Sequence, residues 1–262
     1  MPYVKSQGAK IYYEFYGEGQ PITFVHGAGG NTLVWHNQIP YFAPTYKVLT
    51  FDHRGWGRSL CTPNESHARY FSEDLKAVLD DAGIERTSLV CQSMGGWTGM
   101  HFALSNPERV SCLVLSATPG GIKTTKVMDD LRDLDLNRRT QNQDSSNWKK
   151  PQIALAPDAF ERNPKNAFLY RLMTELNEQR QSPSGITDMM ICPSKLSKFS
   201  IPTLMISGGK DRIFSTETLE QVCTEIPGAQ IVSIEDSGHS PYFESPETFN
   251  QYVESFVVAN AL

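Results

Sequence analysis

Residues 89–97 read LVCQSMGGW, a short stretch whose character changes at its centre. Its apolar start is typical of a strand buried on both faces, and the apolar run breaks off at Ser93. Gly95 and Gly96 follow, and residues without a Cβ allow a helix to begin directly against the end of a strand. The stretch therefore predicts a sharp strand-to-helix turn that lifts the Ser93 hydroxyl above the edge of a sheet.

Five further apolar runs have a similar length and character. They read ITFV, KVLTF, CLVLS, TLMIS and IVSIE, and amphipathic stretches such as YFSEDLKAVLDDAG and TETLEQVCTEIPG separate them. Buried strands that alternate with helices predict an α/β fold with a doubly wound, mostly parallel sheet. At the start of the chain, YVKS and AKIYYEFYG alternate in polarity, which predicts an antiparallel pair. Together these runs predict an eight-stranded sheet.

The alternation of strands and helices stops after residue 120. Beyond that point, apolar residues such as Phe168 and Leu172 recur at helical spacing, a polar link reads QNQDSSNWKKP, and no run has the character of a strand. We predict a helical cap subdomain over residues 121–199, inserted into a core formed by residues 1–120 and 200–262.

Residues with useful chemistry follow several of the predicted strands. Ligands of a parallel sheet collect at the carboxyl ends of its strands, so these positions are the candidates for a site. Ser93 follows SLVC, Asp211 follows TLMIS and His239 follows IVSIE. Each alone would more often be structural, but together they have the order serine, acid, histidine that serves catalysis at a strand-to-helix turn. Asp236, which also precedes His239, is the alternative acid.

The loop after ITFV reads HGAGG and carries almost no side-chain bulk over residues 26–30. Its backbone N–H groups are therefore accessible to a developing negative charge. The same pattern also fits a simple tight turn, so this loop alone does not establish a function.

Taken together, these motifs resemble the α/β-hydrolase fold superfamily over nearly the whole chain. The resemblance rests on HGAGG, FDHRGWGRS, CQSMGG, NPERVSCLVLSA, GGKD and GHSPYFESPE, which occur in the family's order and approximate spacing. It implies that Ser93 is the nucleophile, that His239 is its base, and that Asp211 orients the histidine. It also implies an oxyanion hole formed by the backbone N–H groups of Ala28 and Met94.

The resemblance assigns a mainly architectural role to the FDHRGWGRS loop, which includes Asp52, His53 and Arg54. One position departs from the family pattern, because Cys91 stands two residues before Ser93, where the motif has a glycine that lets strand and helix approach closely. We expect the Cys91 thiol to lie below the turn in apolar surroundings, protonated and unreactive. Ser93 is then the covalent site.

The nucleophile and the motifs around it reduce the number of reactions that fit this chain. A serine at this position argues against the epoxide hydrolase and haloalkane dehalogenase branches, which use aspartate there. The carbon–carbon bond hydrolases of aromatic degradation usually carry tryptophan after the histidine and an HGxGPG loop, whereas this chain has Ser240 and HGAGGN. The motifs look most like those of small carboxylesterases and 3-oxoadipate enol-lactonases, which implies a serine hydrolase of a small ester or lactone. The alternatives are a carbon–carbon bond hydrolase of a diketone-type substrate, a slow-turnover ligand receptor, and a cofactor-free oxygenase or perhydrolase.

A substrate pocket is expected between the sheet and the cap. A helical lid excludes water and closes the site in such folds. The candidates for the pocket walls are large apolar side chains of the core and the cap: Trp35, Trp97, Met128, Leu131, Phe168 and Met189.

Composition limits the partners and the compartment. The chain has 262 residues, of which 39% are hydrophobic and 20% charged, and a formal net charge of −5. Its basic residues are scattered, which argues against nucleic acid as a partner. The sequence has no metal-ligand cluster and no phosphate-binding glycine loop, so we expect no metal and no cofactor. The five cysteines form an odd set without CxxC or metal-type spacing, which fits reduced thiols. The N-terminus lacks the pattern of a signal peptide, and no apolar run is long enough for a membrane span, so we expect a cytoplasmic protein with no membrane partner. The oligomeric state stays open.

Overall fold

The computed structural model describes residues 2–62, 64–140, 152–177 and 185–260. Its strands are β1 (Tyr3–Ser6), β2 (Ala9–Tyr16), β3 (Gln20–Val25), β4 (Tyr46–Phe51), β5 (Thr87–Gln92), β6 (Val110–Ser116), β7 (Thr203–Gly208) and β8 (Gln230–Ile234). Its helices are α1 (Gln38–Phe42), α2 (Phe71–Asp81), α3 (Met94–Ser105), α4 (Thr125–Thr140), α5 (Ala159–Arg162), α6 (Pro164–Glu175), α7 (Thr216–Thr224), α8 (Pro241–Glu244) and α9 (Pro246–Asn260). None of the helices in these ranges is both long and apolar enough to cross a membrane.

The strands form one eight-stranded sheet in the order β1-β2-β4-β3-β5-β6-β7-β8. β1 pairs antiparallel with β2, and β2 with β4, whereas the pairs from β4 to β8 are parallel. This topology confirms the predicted doubly wound, mostly parallel sheet with an antiparallel start. β5, the strand that leads to Ser93, lies between β3 and β6 and is buried along its whole length.

Helices cover both faces of the sheet, because successive side chains of a strand point to opposite sides. Along β5, Leu89 and Cys91 join one apolar cluster, whereas Val90 joins the other. Residues of α2, α3 and α7 complete the first cluster, and residues of α1 and α9 complete the second. The carboxyl ends of the parallel strands are left at one edge, where the loops that carry the candidate residues meet.

The chain between β6 and β7 contains the predicted helical insertion. α4, α5 and α6 belong to it. The two ends of the insertion meet where Ile122 and Ile191 form a parallel bridge, and the Ile191 N–H donates to the Gly121 carbonyl at 2.8 Å. The polar link QNQDSSNWKKP falls on residues 141–151, outside the described residues. The exact boundaries of the cap stay a prediction.

Candidate active site

Ser93 lies on a strained turn between β5 and α3. Its backbone has φ 49° and ψ −119°, a conformation that is rare for a residue with a side chain. Two glycines make room for the turn. A Cβ on Gly95 would lie 2.3 Å from the Val25 carbonyl oxygen, and a Cβ on Gly96 would lie 2.3 Å from Thr118 Oγ1. The Ser93 hydroxyl therefore stands at the amino end of α3, at the edge of the sheet where ligands bind in such folds.

Cys91 fits below this turn because the helix residue that faces it is a glycine. A Cβ on Gly99 would lie 2.3 Å from Cys91 Sγ, so the thiol occupies the space that a side chain on α3 would need. Cys91 is completely buried, and this burial raises the pKa of its thiol. The thiol is therefore protonated near neutral pH. The family motif makes room at this contact with a glycine in the strand, whereas this chain makes room with Gly99 in the helix.

Hydrogen bonds connect Ser93, His239 and Asp211 in a chain, which we call the relay. His239 Nε2 lies 2.7 Å from Ser93 Oγ, and His239 Nδ1 lies 2.8 Å from Asp211 Oδ2. In this geometry the serine hydroxyl donates to Nε2, and the Nδ1–H donates to the carboxylate. The other carboxylate oxygen accepts the backbone N–H groups of Ile213 (2.7 Å) and Phe214 (3.2 Å). The side chains of His239 and Asp211 are 4% and 0% exposed, so water does not compete for these bonds.

Asp236, the alternative acid, does not take part in this relay. Its side chain is 77% exposed and pairs with Lys210 Nζ at 3.2 Å. A solvated carboxylate with a lysine partner has no role in orienting a buried imidazole. The structure therefore brings Asp211, and not Asp236, to His239.

The loop after β3 lies directly against the serine. A Cβ on Gly27 would lie 2.8 Å from Ser93 Cβ. The Gly27 carbonyl accepts from His26 Nδ1 at 2.8 Å and from the Gly30 N–H at 3.0 Å. In a trans peptide the N–H points away from the carbonyl, so these two bonds fix the direction of the Ala28 N–H on the opposite side of the same peptide plane.

Met94 carries the second N–H group that was predicted for an oxyanion hole. It is the first residue of α3, a position whose N–H has no acceptor within the helix. Within the described part of the chain, neither this N–H nor that of Ala28 has a hydrogen-bond acceptor. Both groups belong to segments that meet at Ser93. Unpaired donors at such a point suit the stabilisation of a developing negative charge.

A buried polar network holds the loop in place. His26 Nε2 accepts the His53 backbone N–H at 2.9 Å, which leaves Nδ1 protonated to donate to the Gly27 carbonyl. His53 Nε2 lies 2.8 Å from the hydroxyl of Thr98 on α3. Burial lowers the pKa of both histidines, so both are neutral. The network connects the HGAGG loop to the helix that begins after Ser93, which agrees with an architectural role for His53.

Asp52 and Arg54 are also engaged in structural contacts. Asp52 accepts the backbone N–H groups of Thr32 at 2.6 Å and Arg58 at 2.8 Å. Arg54 forms an ion pair with Asp74 in which both side chains are completely buried. Removal of one partner would leave an uncompensated buried charge. These residues hold the FDHRGWGRS loop and are turned away from solvent.

Two groups of apolar side chains flank the reactive residues. In the first, the ring of Trp97 lies 6.4 Å from that of Phe214, which lies 6.0 Å from the ring of His239. The second is a small cluster that consists of Trp56, Ala68, Phe71 and Met94, with Ile186 and Met189 packed against it. Of the residues predicted to line a pocket, Trp97 thus lies one ring away from His239, and Met189 packs against the cluster that contains Met94.

The other four pocket candidates occupy different environments. Trp35 is completely buried in the core, where its ring lies 4.6 Å from that of Tyr242. Leu131 packs against the cluster on the α2 and α3 side of the sheet. Met128 is half-buried on α4, and Phe168 is 36% exposed on α6. A direct role of these four side chains in a pocket stays a prediction.

Comparison with known proteins identifies the family. The sequence model described as the alpha/beta hydrolase fold matches residues 20–246. This chain belongs to the α/β hydrolase fold family. The match covers the relay, the HGAGG loop and the cap, so it includes all parts of the candidate site.

Three similar proteins have names or descriptions that refer to different bonds. The putative carbamate hydrolase RutD of Azorhizobium caulinodans is 26% identical over 275 residues, which cover 98% of this chain and 98% of that protein. The 2-hydroxy-6-oxononadienedioate/2-hydroxy-6-oxononatrienedioate hydrolase of Cupriavidus pinatubonensis is 29% identical over 253 residues, which cover 91% and 86%. The structure of Est816, described as an N-acyl homoserine lactone degrading enzyme, matches with a TM-score of 0.77 at 26% identity and covers 98% of this chain and all of that one. These similarities support a hydrolase without fixing the bond that it cleaves.

Sequence reasoning missed the contacts that tie the cap of this α/β hydrolase to the histidine loop. Glu244 accepts the Gly238 N–H at 2.7 Å and the Ala156 N–H at 2.8 Å. One carboxylate thus connects the residue before His239 to the cap. Burial raises the pKa of Glu244. No signal in the sequence links this glutamate to a cap residue so far away along the chain.

The acid loop is tied to the cap in a similar way. Arg212 follows the acid and donates to the Gln152 carbonyl at 2.7 Å. Lys210 precedes the acid and pairs with Asp158 at 2.9 Å. The only sequence signal is the placement of two basic residues around the acid in GGKDRIF. The loops of both the acid and the histidine therefore contact the cap segment over residues 152–158.

The chemistry that this arrangement supports is nucleophilic attack on an acyl carbon. Ser93 has a base in hydrogen-bond contact, the base has an oriented acid, and unpaired N–H groups lie beside the nucleophile. Among the described residues, no group of three or more histidine, cysteine, aspartate or glutamate side chains is arranged to hold a metal ion.

Proposed function

We propose that this protein is a serine hydrolase that cleaves a small, neutral carboxylic ester or lactone through an acyl-enzyme on Ser93. The observation that carries the proposal is the relay from Ser93 Oγ through His239 to Asp211, with N···O distances of 2.7 and 2.8 Å. The relay begins at a strained turn between a strand and a helix. Nucleophile, base, orienting acid and oxyanion donors are the set of groups that acyl transfer requires.

Acylation uses the relay as a proton acceptor. His239 Nε2 takes the hydroxyl proton while Ser93 Oγ attacks the carbonyl carbon of the substrate. Asp211 stabilises the imidazolium that forms. The N–H groups of Ala28 and Met94 bind the negative oxygen of the tetrahedral intermediate, and such a donor contributes about 2.7 to 4 kcal/mol in other enzymes. His239 then gives the proton to the alkoxide, which leaves from an ester or stays attached to the acyl chain of a lactone.

Deacylation repeats these steps with water as the nucleophile. His239 takes a proton from water as the water oxygen attacks the acyl carbon, and the same N–H groups bind the second oxyanion. The bond to Ser93 Oγ breaks, and the proton on His239 returns to the serine. The carboxylic acid is released and the enzyme regains its starting state.

The side chains around the relay favour a neutral substrate. Phe214 lies beside His239 and Trp97 lies beside Phe214, while Met189 packs against the cluster that contains Met94, so apolar side chains lie on both sides of the reactive groups. A substrate carboxylate buried among such groups without a cation would lose its hydration without compensation. An uncharged acyl group gains from the same contacts. The lactone-degrading Est816 is consistent with this substrate class.

A carbon–carbon bond hydrolase is the second candidate, because one relative at 29% identity is a hydrolase of 2-hydroxy-6-oxononadienedioate. A relay of this kind also serves that chemistry. The name of that substrate denotes two carboxylates, however, which the apolar neighbours described above do not favour. Ser240 after the histidine, where those enzymes usually have tryptophan, points in the same direction.

Labelling followed by a substrate panel tests the proposal. A fluorophosphonate should modify wild-type protein at Ser93, and peptide mass spectrometry should find the adduct there and not at Cys91. Ser93→Ala should remain unlabelled, whereas Ser105→Ala, a matched control at the exposed end of the same helix, should be labelled like the wild type. The panel then compares neutral p-nitrophenyl esters, lactones, carbamates and a 2-hydroxy-6-oxo-dienedioate.

The panel separates the candidates. Turnover of neutral esters or lactones above the other classes supports the proposal, whereas preferred cleavage of the dienedioate would replace it by the second candidate. Labelling of Ser93 without turnover of any class would point to the slow-turnover receptor. An adduct on Cys91 would contradict the assignment of the nucleophile.

A further inference from the structure

Asn177 joins the cap to the loop that holds the oxyanion-hole candidate. It follows α6 and is only 3% exposed. Its Nδ2 donates to the Gly29 carbonyl at 2.7 Å, and its Oδ1 accepts the Gly57 N–H at 2.8 Å. The Thr174 carbonyl is a second acceptor for Nδ2, at 3.1 Å. One side chain of the cap therefore bridges the HGAGG loop and the FDHRGWGRS loop of the core.

The neighbours of this amide fix its orientation. Only the oxygen accepts from the Gly57 N–H, and only the nitrogen donates to the Gly29 carbonyl, so a 180° rotation would break both bonds. Asn31 adds a second link, because its Nδ2 donates to the Met173 carbonyl of α6 at 3.0 Å. The last turn of α6 and Asn177 just after it thus hold the segment over residues 29–31 at two points.

Gly29 needs such an external partner. It adopts φ +81°, and nothing lies within 4 Å of the position that its Cβ would occupy. A glycine in open space does not restrict its own backbone, so the direction of its peptide plane depends on the groups that bind it. Gly29 directly follows Ala28, whose N–H is proposed to bind the oxyanion. The Gly29 carbonyl shares its peptide plane with the Gly30 N–H, and this N–H donates to the Gly27 carbonyl at 3.0 Å. The Gly27 carbonyl in turn shares its peptide plane with the Ala28 N–H, so a shift of the Gly29 carbonyl is passed on to that N–H.

We propose that Asn177 is a positioning residue for the oxyanion hole, which makes catalysis depend on the seating of the cap helix α6. The inference rests on the proposed function, because it requires an oxyanion at Ser93. Asn177 acts through Gly29 and not on the substrate. Its loss should therefore weaken binding of the tetrahedral intermediate and leave binding of the uncharged ground state unchanged.

Two ketones that share one acyl chain distinguish these states. A trifluoromethyl ketone adds to Ser93 Oγ, the hydroxyl proton passes to His239, and the former carbonyl oxygen becomes an oxyanion. The matching methyl ketone binds without this addition. The ratio of the two inhibition constants measures how strongly the oxyanion hole binds the negative oxygen. Both constants report on the folded, active fraction, so partial unfolding of a variant cancels in the ratio.

Three variants separate positioning from packing. Asn177→Ala removes the amide and its volume, Asn177→Leu keeps the volume without the hydrogen bonds, and Asn163→Ala is the matched control. Asn163 is exposed at the other end of α6, where it accepts the Asn166 N–H at 3.1 Å. The control therefore weakens the same helix without touching the HGAGG loop.

Both Asn177 variants should bind the trifluoromethyl ketone about 10- to 100-fold more weakly, with a parallel fall in kcat, because a small misplacement of a catalytic group has effects of this size. The methyl ketone constant and KM should stay unchanged, and Asn163→Ala should alter neither ketone. Equal losses for both ketones, full rescue by leucine, or no loss would overturn the inference. Wild-type enzyme that binds both ketones equally would overturn the proposed function, and the inference with it.

Discussion

The turn at Ser93 and the attachment of the cap are held by different kinds of constraint. The turn depends on close contact between helix and sheet, because a side chain on Gly95 would collide with the Val25 carbonyl and one on Gly99 with the Cys91 thiol. The cap is attached by polar side chains, among them Asn177 and Glu244, which bond to backbone groups of the core loops. The first constraint is steric, whereas the second consists of hydrogen bonds.

This difference predicts two patterns of response to mutation. A hydrogen bond contributes about 0.5 to 1.5 kcal/mol net, and water replaces it in part, so changes at the cap attachment should have graded effects. An atom added where strand and helix are already in contact forces its neighbours to shift, so changes at the turn should be severe. Loss of the nucleophile itself should be more severe for activity than either.

Removal of the nucleophile should give the largest effect. Ser93→Ala is expected to fold and to lose about 10⁴- to 10⁶-fold in kcat, because the remaining groups cannot form an acyl-enzyme. His239→Ala should lose a similar factor, and the double variant should lose little more than either single variant, since the two residues act as a unit. Steady-state hydrolysis of a p-nitrophenyl ester measures the losses, with circular dichroism as the control for folding. Losses that add would mean that the two residues have separate roles.

The same difference explains what the sequence predicts and what it does not. The sheet and the placement of Ser93, Asp211 and His239 at strand ends are visible because apolar runs and glycines mark them locally. The role of Asn177 is not visible, because the Gly29 carbonyl that it binds lies 148 residues away in the chain. An asparagine after a helix has many possible partners, and only the packing of the cap selects one. Glu244 is hidden for the same reason, since Ala156 is 88 residues away.

The contact between Cys91 and Gly99 should tolerate the loss of atoms but not their addition. Gly99→Ala would place a Cβ 2.3 Å from Cys91 Sγ, and Cys91→Leu would overfill the same space, so each should lower the free energy of unfolding by about 1–3 kcal/mol and reduce activity by tilting the turn. Cys91→Ala should keep most of the activity. Chemical denaturation and ester hydrolysis measure both effects.

A double variant sharpens this test. Cys91→Ala removes the sulfur atom that the new Cβ would meet, so Cys91→Ala with Gly99→Ala should be more stable than the sum of the two single effects predicts. Recovery should be partial, because Leu113 Cδ1 also lies 3.3 Å from the same position. Strict additivity would show that Cys91 does not limit the approach of strand and helix.

Cap side chains should change the ratio of kcat/KM between substrates more than they change kcat for any one substrate. Met189→Ala removes apolar contact next to the cluster around Met94, so the ratio of kcat/KM for long and short acyl esters should change by about 10-fold. Val258→Ala, 66% exposed on α9, is the control for a surface truncation of similar kind. Alanine variants of Met128, Leu131 and Phe168 test the remaining pocket predictions in the same assay. An unchanged ranking in all of them would place the acyl pocket elsewhere.

The smallest effect should be a pH dependence of stability at Glu244. Burial raises the pKa of this carboxyl above its ordinary value, so the folded protein holds the proton more tightly than the unfolded chain does. Its contribution to stability is therefore fully present below the unfolded pKa and is lost as the pH rises through the higher folded pKa.

Glu244→Gln cannot ionise, so the unfolding free energy of the wild type minus that of this variant should fall as the pH rises from about 3.5 to 7. Glu247→Gln, on the exposed first turn of α9, controls for the loss of one charge from the same segment. Denaturant titrations at several pH values measure the difference. The opposing influence is the pair of N–H groups of Gly238 and Ala156, which favour the carboxylate. A difference that rises with pH would mean that these two hydrogen bonds outweigh the cost of burial, and that the cap is held most firmly when Glu244 is charged.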